Sequence, residues 1–328
     1  MILAGDVGAT KTLLGLFEVS GDGLRSVRES AFPSREHGSL EEVLERFLGA
    51  GRLPDLRAAC FGVAGPICQG ATHMTNLPWV VDEARLARVI GTRVRILNDV
   101  QALAYGTLFL GPKETQLLQA GRGPVPKETI AVIAAGTGLG ESFLLWDGER
   151  HHPVASEGGH VDFAPRDDRE IDLLRWLRWK LGGRVSYERV LTGAGLGHLY
   201  AFLRDAGEAR ETQAVAERLS REDPAAVISE LGLAGKDPIC VAALGLFCSL
   251  YGAEAGNLAL KCLALGGVRV GGGIAPKILP ALERGEFVRS FLDKGRYRPV
   301  MEAIEVRVVL EPRAPLLGAA HYALRIPG

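Results

Sequence analysis

Residues 2–17 read ILAGDVGATKTLLGLF, and residues 130–146 read IAVIAAGTGLGESFLLW. Each is an apolar strand, a glycine–threonine turn and a second strand. The copies lie about 130 residues apart, too far for a solenoid repeat. Two related domains, each opening on a hairpin, account for the recurrence. Two unrelated hairpins account for it as well, because Gly-Thr turns are common.

Outward from the first copy, Ile2–Val7, Thr12–Val19 and Gly23–Glu29 read as a three-stranded meander, with Gly21-Asp22-Gly23 as a turn. SLEEVLERFLGAG, from Ser39, reads as a helix. Leu40, Val43, Leu44, Phe47 and Leu48 mark one face, and Ser39 with Glu42 has capping-box spacing. Ala58–Ala64 is a buried strand, Asp82–Ile90 a short helix stopped by Gly91, and Arg93–Leu97 a strand ending at Asn98-Asp99. Outward from the second copy, Glu149–Pro153 adds a strand, and helical patterns fill Ile171–Leu265. One long apolar helix opens at Asp237-Pro238 as N-cap and first position. VRVGGG and Glu305–Leu310 read as strands, and Pro315–Leu324 as a closing helix.

The chain's 328 residues suit two domains, and 47% hydrophobic with 23% charged residues is a globular balance. A net charge of −1, with no basic block or acidic tail, argues against nucleic acid as a partner. No charge-free apolar stretch of 18 residues appears, so no membrane span is expected. MILAGDVGATK enters a strand directly, without a leader pattern, so no secretory leader is expected. The five cysteines are Cys60, Cys68, Cys240, Cys248 and Cys262. They are odd in number and lack C-x-x-C spacing, which reads as reduced thiols in a cytoplasmic protein.

Four places carry chemistry. A hairpin turn with exposed N–H groups and a Thr hydroxyl can cradle phosphate oxygens, and both glycine–threonine turns qualify. In the first, Asp6 needs a cation such as Mg²⁺ to sit beside a phosphate. A plain β-turn accounts for either turn equally. Neither G-x-x-x-x-G-K-[ST] nor a strand-linked G-x-G-x-x-G is present. Asn98-Asp99 ends an apolar strand, where an Asp can accept a proton from a substrate hydroxyl; a helix N-cap is the other reading. In ASEGGHVDF, Glu157 and His160 flank two glycines and suit hydrogen bonds to a polyol, a metal, or a structural turn. Glu188, in VSYERVLTGAG, has the look of a solvated surface residue.

GDVGATKT (5–12), FGVAGPI (61–67), MTNLPW (74–79), LNDVQALAYG (97–106), AAGTGLGES (134–142), EGGHVDFAP (157–165), ERVLTGAGL (188–196) and VGGGIAPK (270–277) follow one another. As an ordered set they resemble bacterial glucokinase, the group related to hexokinases and to the repressor/kinase sugar family. The resemblance covers nearly the whole chain. It implies an α/β protein of the actin-like ATPase (ribonuclease H-like) fold, two domains around a cleft. The small domain would take residues 1–108 plus about 302–328, and the large domain 109–301.

The resemblance also implies roles. Asp99 would be the general base for the 6-hydroxyl of glucose. Asn98, Asp99, Glu157, His160 and Glu188 would bind the sugar. Gly5, Asp6, Val7, Gly8, Ala9, Thr10 and Lys11 would form one phosphate loop, with Asp6 near Mg²⁺ through water. Gly136, Thr137 and Gly138 would form the other, and Gly271, Gly272 and Gly273 would lie against the adenosine of ATP. A homodimer is implied too. Ala9 replaces a common glycine by only a methyl. The Cys-rich zinc motif C-x-C-G-x-x-G-C of the repressor/kinase branch is absent, which makes His160 a sugar ligand. No DNA-binding segment precedes residue 1, which disfavours a repressor. A kinase for another hexose or amino sugar, a sugar-responsive regulator and a chaperone-like ATPase are the rival readings.

Overall fold

The structure is a computed structural model that describes residues 1–21, 23–49, 55–208 and 210–327. Asp22 of the expected turn, and Ala50 and Gly51 at the end of the expected helical stretch, lie outside the described residues. In chain order the strands are β1 (Ile2–Val7), β2 (Lys11–Ser20), β3 (Gly23–Pro33), β4 (Ala58–Val63), β5 (Ala71–His73), β6 (Val80–Asp82) and β7 (Val94–Asn98). There follow β8 (Thr115–Gln119), β9 (Ile130–Ala135), β10 (Leu139–Trp146), β11 (His151–Ser156), β12 (Val268–Gly271) and β13 (Val306–Val309).

One sheet runs β3-β2-β1-β4-β7, with β5 and β6 pairing apart. The other runs β11-β10-β9-β12-β13 and adds β8 at its edge. The first five positions therefore repeat one order. In both sheets the opening strand pairs in parallel with the fourth, and the fourth with the fifth. The recurrence in sequence is thus a recurrence in topology.

The chain forms two compact units: Met1–Glu114 with Ser142–Ala155 and Glu311–Gly328, and Thr115–Glu141 with Ser156–Leu310. The expected limits, 1–108 with about 302–328 and 109–301, differ most at Ser142–Ala155. Hydrogen bonds explain that assignment. Gln101 Nε2 donates to Pro153 O at 3.1 Å, and Arg325 Nη1 to His151 O at 2.8 Å. Both donors belong to the first unit.

In the first unit every β4 residue is buried, and in β1 only Asp6 keeps appreciable exposure. Continuous burial marks strands covered on both faces. Side chains alternate, so Leu3, Val7, Phe61 and Val63 pack with Val43, Leu44 and Phe47 of the helix Leu40–Leu48. Ile2, Ala4 and Cys60 pack the other way, with Ala102, Leu316, Ala319 and Ala320. Ser39 Oγ caps the first helix by accepting from Glu42 N at 3.3 Å. The expected return bond shifts by one residue, because Glu42 Oε2 accepts from Gly38 N at 2.8 Å.

The helices Asp99–Gly106 and Ala314–Ala323 meet backbone to backbone. A Cβ on Gly106 would lie 1.9 Å from Ala314 O, and one on Gly318 would lie 1.8 Å from Ala102 O. In the second unit the buried helix Pro238–Lys261 begins at Asp237, whose side chain accepts from Cys240 N at 2.9 Å. Its length and apolarity would suit a membrane span, yet 78% of that apolar window is buried inside the protein.

Alanine favours a helix interior over glycine by about 1 kcal/mol. Overpacking costs about 1–3 kcal/mol, and at Gly318 the obstacle is backbone, which cannot rotate away. Gly318→Ala is therefore expected to lower the Tm by at least ~2 °C. Gly245→Ala, where a Cβ meets nothing within 4 Å, is expected to leave it equal or higher. Calorimetry of both variants checks this, and a Gly318→Ala protein as stable as wild type overturns it.

Candidate functional site

In the first unit the site is built at the carboxyl ends of β1, β4 and β7. Asp6 pairs with Gly62, and Val63 with Asn98. Residues 2, 4 and 6 share a face, so the Asp6 side chain points to the side of the helix Asp99–Gly106. Gly62 lets that helix settle: a Cβ there would meet Ala102 Cβ at 2.7 Å, with Asp99 Cα at 3.7 Å. Asp6 and Asp99 are thereby brought side by side.

Asn98 is the N-cap. Its Oδ1 accepts from Val100 N at 2.9 Å, its backbone N donates to Gln101 Oε1 at 3.0 Å, and its Nδ2 donates to Gly65 O at 3.2 Å. The N-cap reading is what the structure shows, and it leaves one amide hydrogen for a ligand. Asp99 Oδ1 also accepts from Val100 N at 2.9 Å. The carboxylate is part-exposed at the helix N-terminus.

The first turn proper is Gly8–Thr10. Gly8 N donates to Lys11 O at 3.0 Å, Ser34 Oγ to Gly8 O at 2.7 Å, and Ser34 N to Thr10 O at 3.1 Å. Ala9 is half-buried there, while Thr10 and Lys11 are exposed. Gly5 and Val7 sit inside β1 and are buried. A Cβ on Gly5 would lie 2.5 Å from the Phe61 ring, so core packing alone demands glycine at that position.

In the second unit two glycine segments leave neighbouring parallel strands. Gly136, Thr137 and Gly138 follow β9; Gly271 ends β12, paired to Ala134, and Gly272 and Gly273 follow it. Gly272 has φ +82° and presses on Ala135 O, where a Cβ would come to 2.3 Å. The Tyr251 hydroxyl ties the strands, reaching Ala135 N at 3.2 Å and Gly271 O at 3.3 Å. Strand ends of this kind are where α/β sheets bind ligands.

Glu157, His160 and Glu188 converge. His160 Nε2 lies 4.0 Å from Glu157 Oε2, and His160 Nδ1 lies 3.8 Å from Glu188 Oε1. Extended pairing brings them together: Phe163 N donates to Val185 O at 3.0 Å, and Tyr187 N to Val161 O at 3.1 Å. Glu188 is no solvated surface residue. Its Oε2 accepts from Leu139 N at 3.2 Å and lies 2.9 Å from where a Gly138 Cβ would be. The acid–imidazole set therefore abuts the second glycine turn. Sequence reading missed a cavity of about 740 Å³ lined by Gly197, Tyr200, Ala201, Leu219, Ser220 and Ile228 among others. Its wall residue Gly193 donates to Gly136 O at 3.2 Å, so the cavity adjoins the same turn.

Comparison with known proteins places this geometry. The family model for glucokinase matches residues 3–326. The chain belongs to the glucokinase family. The glucokinase of Nostoc punctiforme is 40% identical over 340 residues, covering 99% of both chains. A crystal structure of glucokinase from an Antarctic psychrotroph superposes with a TM-score of 0.84 at 31% identity, covering 99% of this chain and 98% of that one. A ROK family glucokinase from Streptomyces griseus, solved with glucose and AMPPNP, shares the fold at TM-score 0.67 and 22% identity over 99% of both chains. The fold is the actin-like ATPase fold, which the doubled sheet order had indicated.

Asp6 carries an electrostatic difficulty. Burial is the largest cause, and the Asp99 charge adds to it; Lys11 opposes both, and the carboxyl ends pushed up to about 7. Asp6 retains some solvent-accessible surface, but protein surrounds most of its carboxyl. A folded carboxyl that keeps its proton to about pH 7 outbinds the unfolded one, which ionises near 3.8. Stability of the ligand-free protein thus falls as pH rises between those values. ¹³C NMR titration is expected to find the Asp6 midpoint near 7 and to find it lower in Asp99→Asn. A midpoint indifferent to Asp99 overturns the pairing.

Proposed function

We propose that this protein is an ATP-dependent glucokinase, transferring the γ-phosphoryl group of ATP to the 6-hydroxyl of glucose. The observation that carries the reading is the contact of Glu188, which His160 and Glu157 adjoin, with Gly138 of the Gly136–Gly138 turn. In this reading the polyol-binding groups lie beside a phosphate cradle. Family membership over nearly the full chain supports it.

In this reading Glu157, His160 and Glu188 accept and donate hydrogen bonds to the sugar's ring hydroxyls, and Asn98 adds its remaining amide hydrogen. A site that buries such groups rejects a sugar lacking a hydroxyl, because a polar group is then left unpaired. Asp99 Oδ2 takes the proton of the 6-hydroxyl as that oxygen attacks the γ-phosphorus in line. N–H groups of the Gly8–Thr10 and Gly136–Gly138 turns receive the phosphate oxygens, and Lys11 adds positive charge. The adenosine fills the cavity beside Gly193 and Gly197, with Gly271–Gly273 near its ribose.

Mg²⁺ fits the first unit. Asp6 and Asp99 put two acids together, and Lys11 offsets them only in part. Asp6 would hold the ion, directly or through water, and the ion would supply charge neutralisation to the β- and γ-phosphates. Below about pH 7, that binding must displace the Asp6 proton. A homodimer, implied by the family resemblance, belongs to the same reading. So does a reducing, cytoplasmic compartment, supported by five free cysteines.

Coupled ADP release should show glucose turning over far faster than mannose, fructose, glucosamine, N-acetylglucosamine or N-acetylmannosamine. A different preferred sugar would sink the glucose assignment alone. Absence of turnover with every sugar would sink the kinase reading. Asp99→Ala is expected to lose at least ~100-fold in kcat with little change in ATP affinity. Near-full kcat would remove Asp99 from the proton-accepting role. At Gly197 a Cβ would meet nothing within 4 Å, so Gly197→Leu should project into the cavity. It is expected to raise the KM for ATP while the KM for glucose holds; equal ATP KM values would move the adenosine elsewhere.

A further inference from the structure

Directly beneath the Glu157–His160 turn lie two buried acids. Glu141, on β10, is 1% exposed, and Glu254, on the helix Pro238–Lys261, is 0% exposed. Their surroundings differ. Glu254 accepts from Asn257 Nδ2 at 2.8 Å and from Lys261 Nζ at 3.1 Å. Glu141 Oε1 has no hydrogen-bond partner among the described residues. Glu141 Oε2 packs under Gly158, 2.0 Å from where a Cβ would stand.

The pair touches both segments that carry the sugar-facing groups. Gly158 opens the turn to His160, and Glu157 precedes it. Tyr187 opens the turn containing Glu188, and its hydroxyl accepts from Asn257 Nδ2 at 3.1 Å. Lys294 Nζ fixes Asn257 from behind, donating to its Oδ1 at 2.7 Å. Two residues before Glu141, Leu139 N donates to Glu188 Oε2. A Cβ on Gly159 would strike Leu139 O at 1.9 Å, so the turn rests directly on this strand.

We propose that Glu141 is a positioning residue for sugar binding: packed under Gly158 and against Glu254, it holds the turns of Glu157, His160 and Glu188 in place. This rests on the kinase reading above. The donors decide which acid is charged. Lys261 and Asn257 stabilise a negative Glu254, while nothing offers a proton donor to Glu141 Oε1. Burial first, and the Glu254 charge second, raise the Glu141 carboxyl to about 8, with Lys261 opposing. Lys294 faces Glu254 too, its amine pushed down by burial first with the Glu254 charge opposing. Three more ionisable groups face the pair: Tyr251 from the long helix, Cys262 just past its end and Tyr187 from its turn. All three are pushed up, with burial the largest cause, so none is charged near neutral pH.

Above about pH 8 Glu141 gains a second negative charge against Glu254, under Gly158. Like charges in a buried site repel, so the turn and its sugar ligands shift. Glucose affinity should fall while the phosphoryl-transfer step on bound sugar keeps its rate. The KM for glucose, measured from pH 6.5 to 9.5, is expected to rise above pH 8 by up to roughly tenfold per unit. The kcat should not follow that rise. Glu141→Gln keeps the shape and cannot ionise, so its alkaline rise should disappear.

Glu254→Gln supplies a second variant. It removes the charge facing Glu141, so no like-charge pair can form and the alkaline rise in KM should shrink. A wild-type KM flat to pH 9.5, or a rise that survives in Glu141→Gln, overturns the inference. Calorimetric titration of glucose into wild-type protein separates the two claims. Binding with parallel profiles in wild type and Glu141→Gln sinks the positioning role alone. No binding and no turnover at any pH sinks the kinase reading and this inference with it.

Discussion

The contact between Gly106 and Gly318 governs the first unit. Two helices can approach this closely only where neither has a side chain, and both residues are glycine at the crossing. The helix that carries Asp99 at its start is held from one side by this contact and from the other by Gly62. With the helix seated, Asn98 caps it, Asp99 stands at its N-terminus, and Asp6 faces Asp99. The acid pair is a by-product of packing, and its strain is electrostatic. Dispersion contacts, each worth little alone, collectively hold two carboxyls closer than their charges favour.

The second unit solves a similar problem by different means. Its glycine segments are fastened by one hydroxyl, Tyr251, bonded to both strand ends. Its buried acids differ in their donors: Lys261 and Asn257 donate to Glu254, and none among the described residues donates to Glu141 Oε1. In each unit a buried carboxyl is pushed upward by burial first and a second acid next. The two sheets repeat a strand order, but the acids fall on different strands of the opening hairpins, Asp6 on β1 and Glu141 on β10.

Much of this was legible in the sequence because it is local. β1 and β9 fall on the apolar runs Ile2–Val7 and IAVIAA to the residue, and Asp237-Pro238 opens the long helix where cap and proline demand. The doubled hairpin pointed to the doubled sheet. What escaped depends on partners distant in the chain. The assignment of Ser142–Ala155 rests on Gln101 and Arg325, which no window around residue 150 contains. Glu42 took Gly38 instead of Ser39 as its partner because of turn geometry beyond the capping-box spacing. Glu188 looked like a surface residue, since nothing nearby in sequence announces Leu139. Glu141 and Glu254 did leave a signal: each is a lone acid in an apolar segment, ESFLLW and the 24-residue helix. Such a charge must be neutralised, paired or ligated.

The return of the chain to the first unit has a consequence for biosynthesis. The helix of Asp99 is made early, and its glycine clamp, Ala314–Ala323, emerges only after the second unit. Until then the surface formed by Ile2, Ala4, Cys60 and Ala102 has no cover. A nascent chain on the ribosome therefore carries an uncovered apolar face while the second unit is made, a surface of the kind chaperones hold. Asp99, the proposed proton acceptor, therefore gains its clamp only after the groups expected to receive sugar and phosphate are already in the chain.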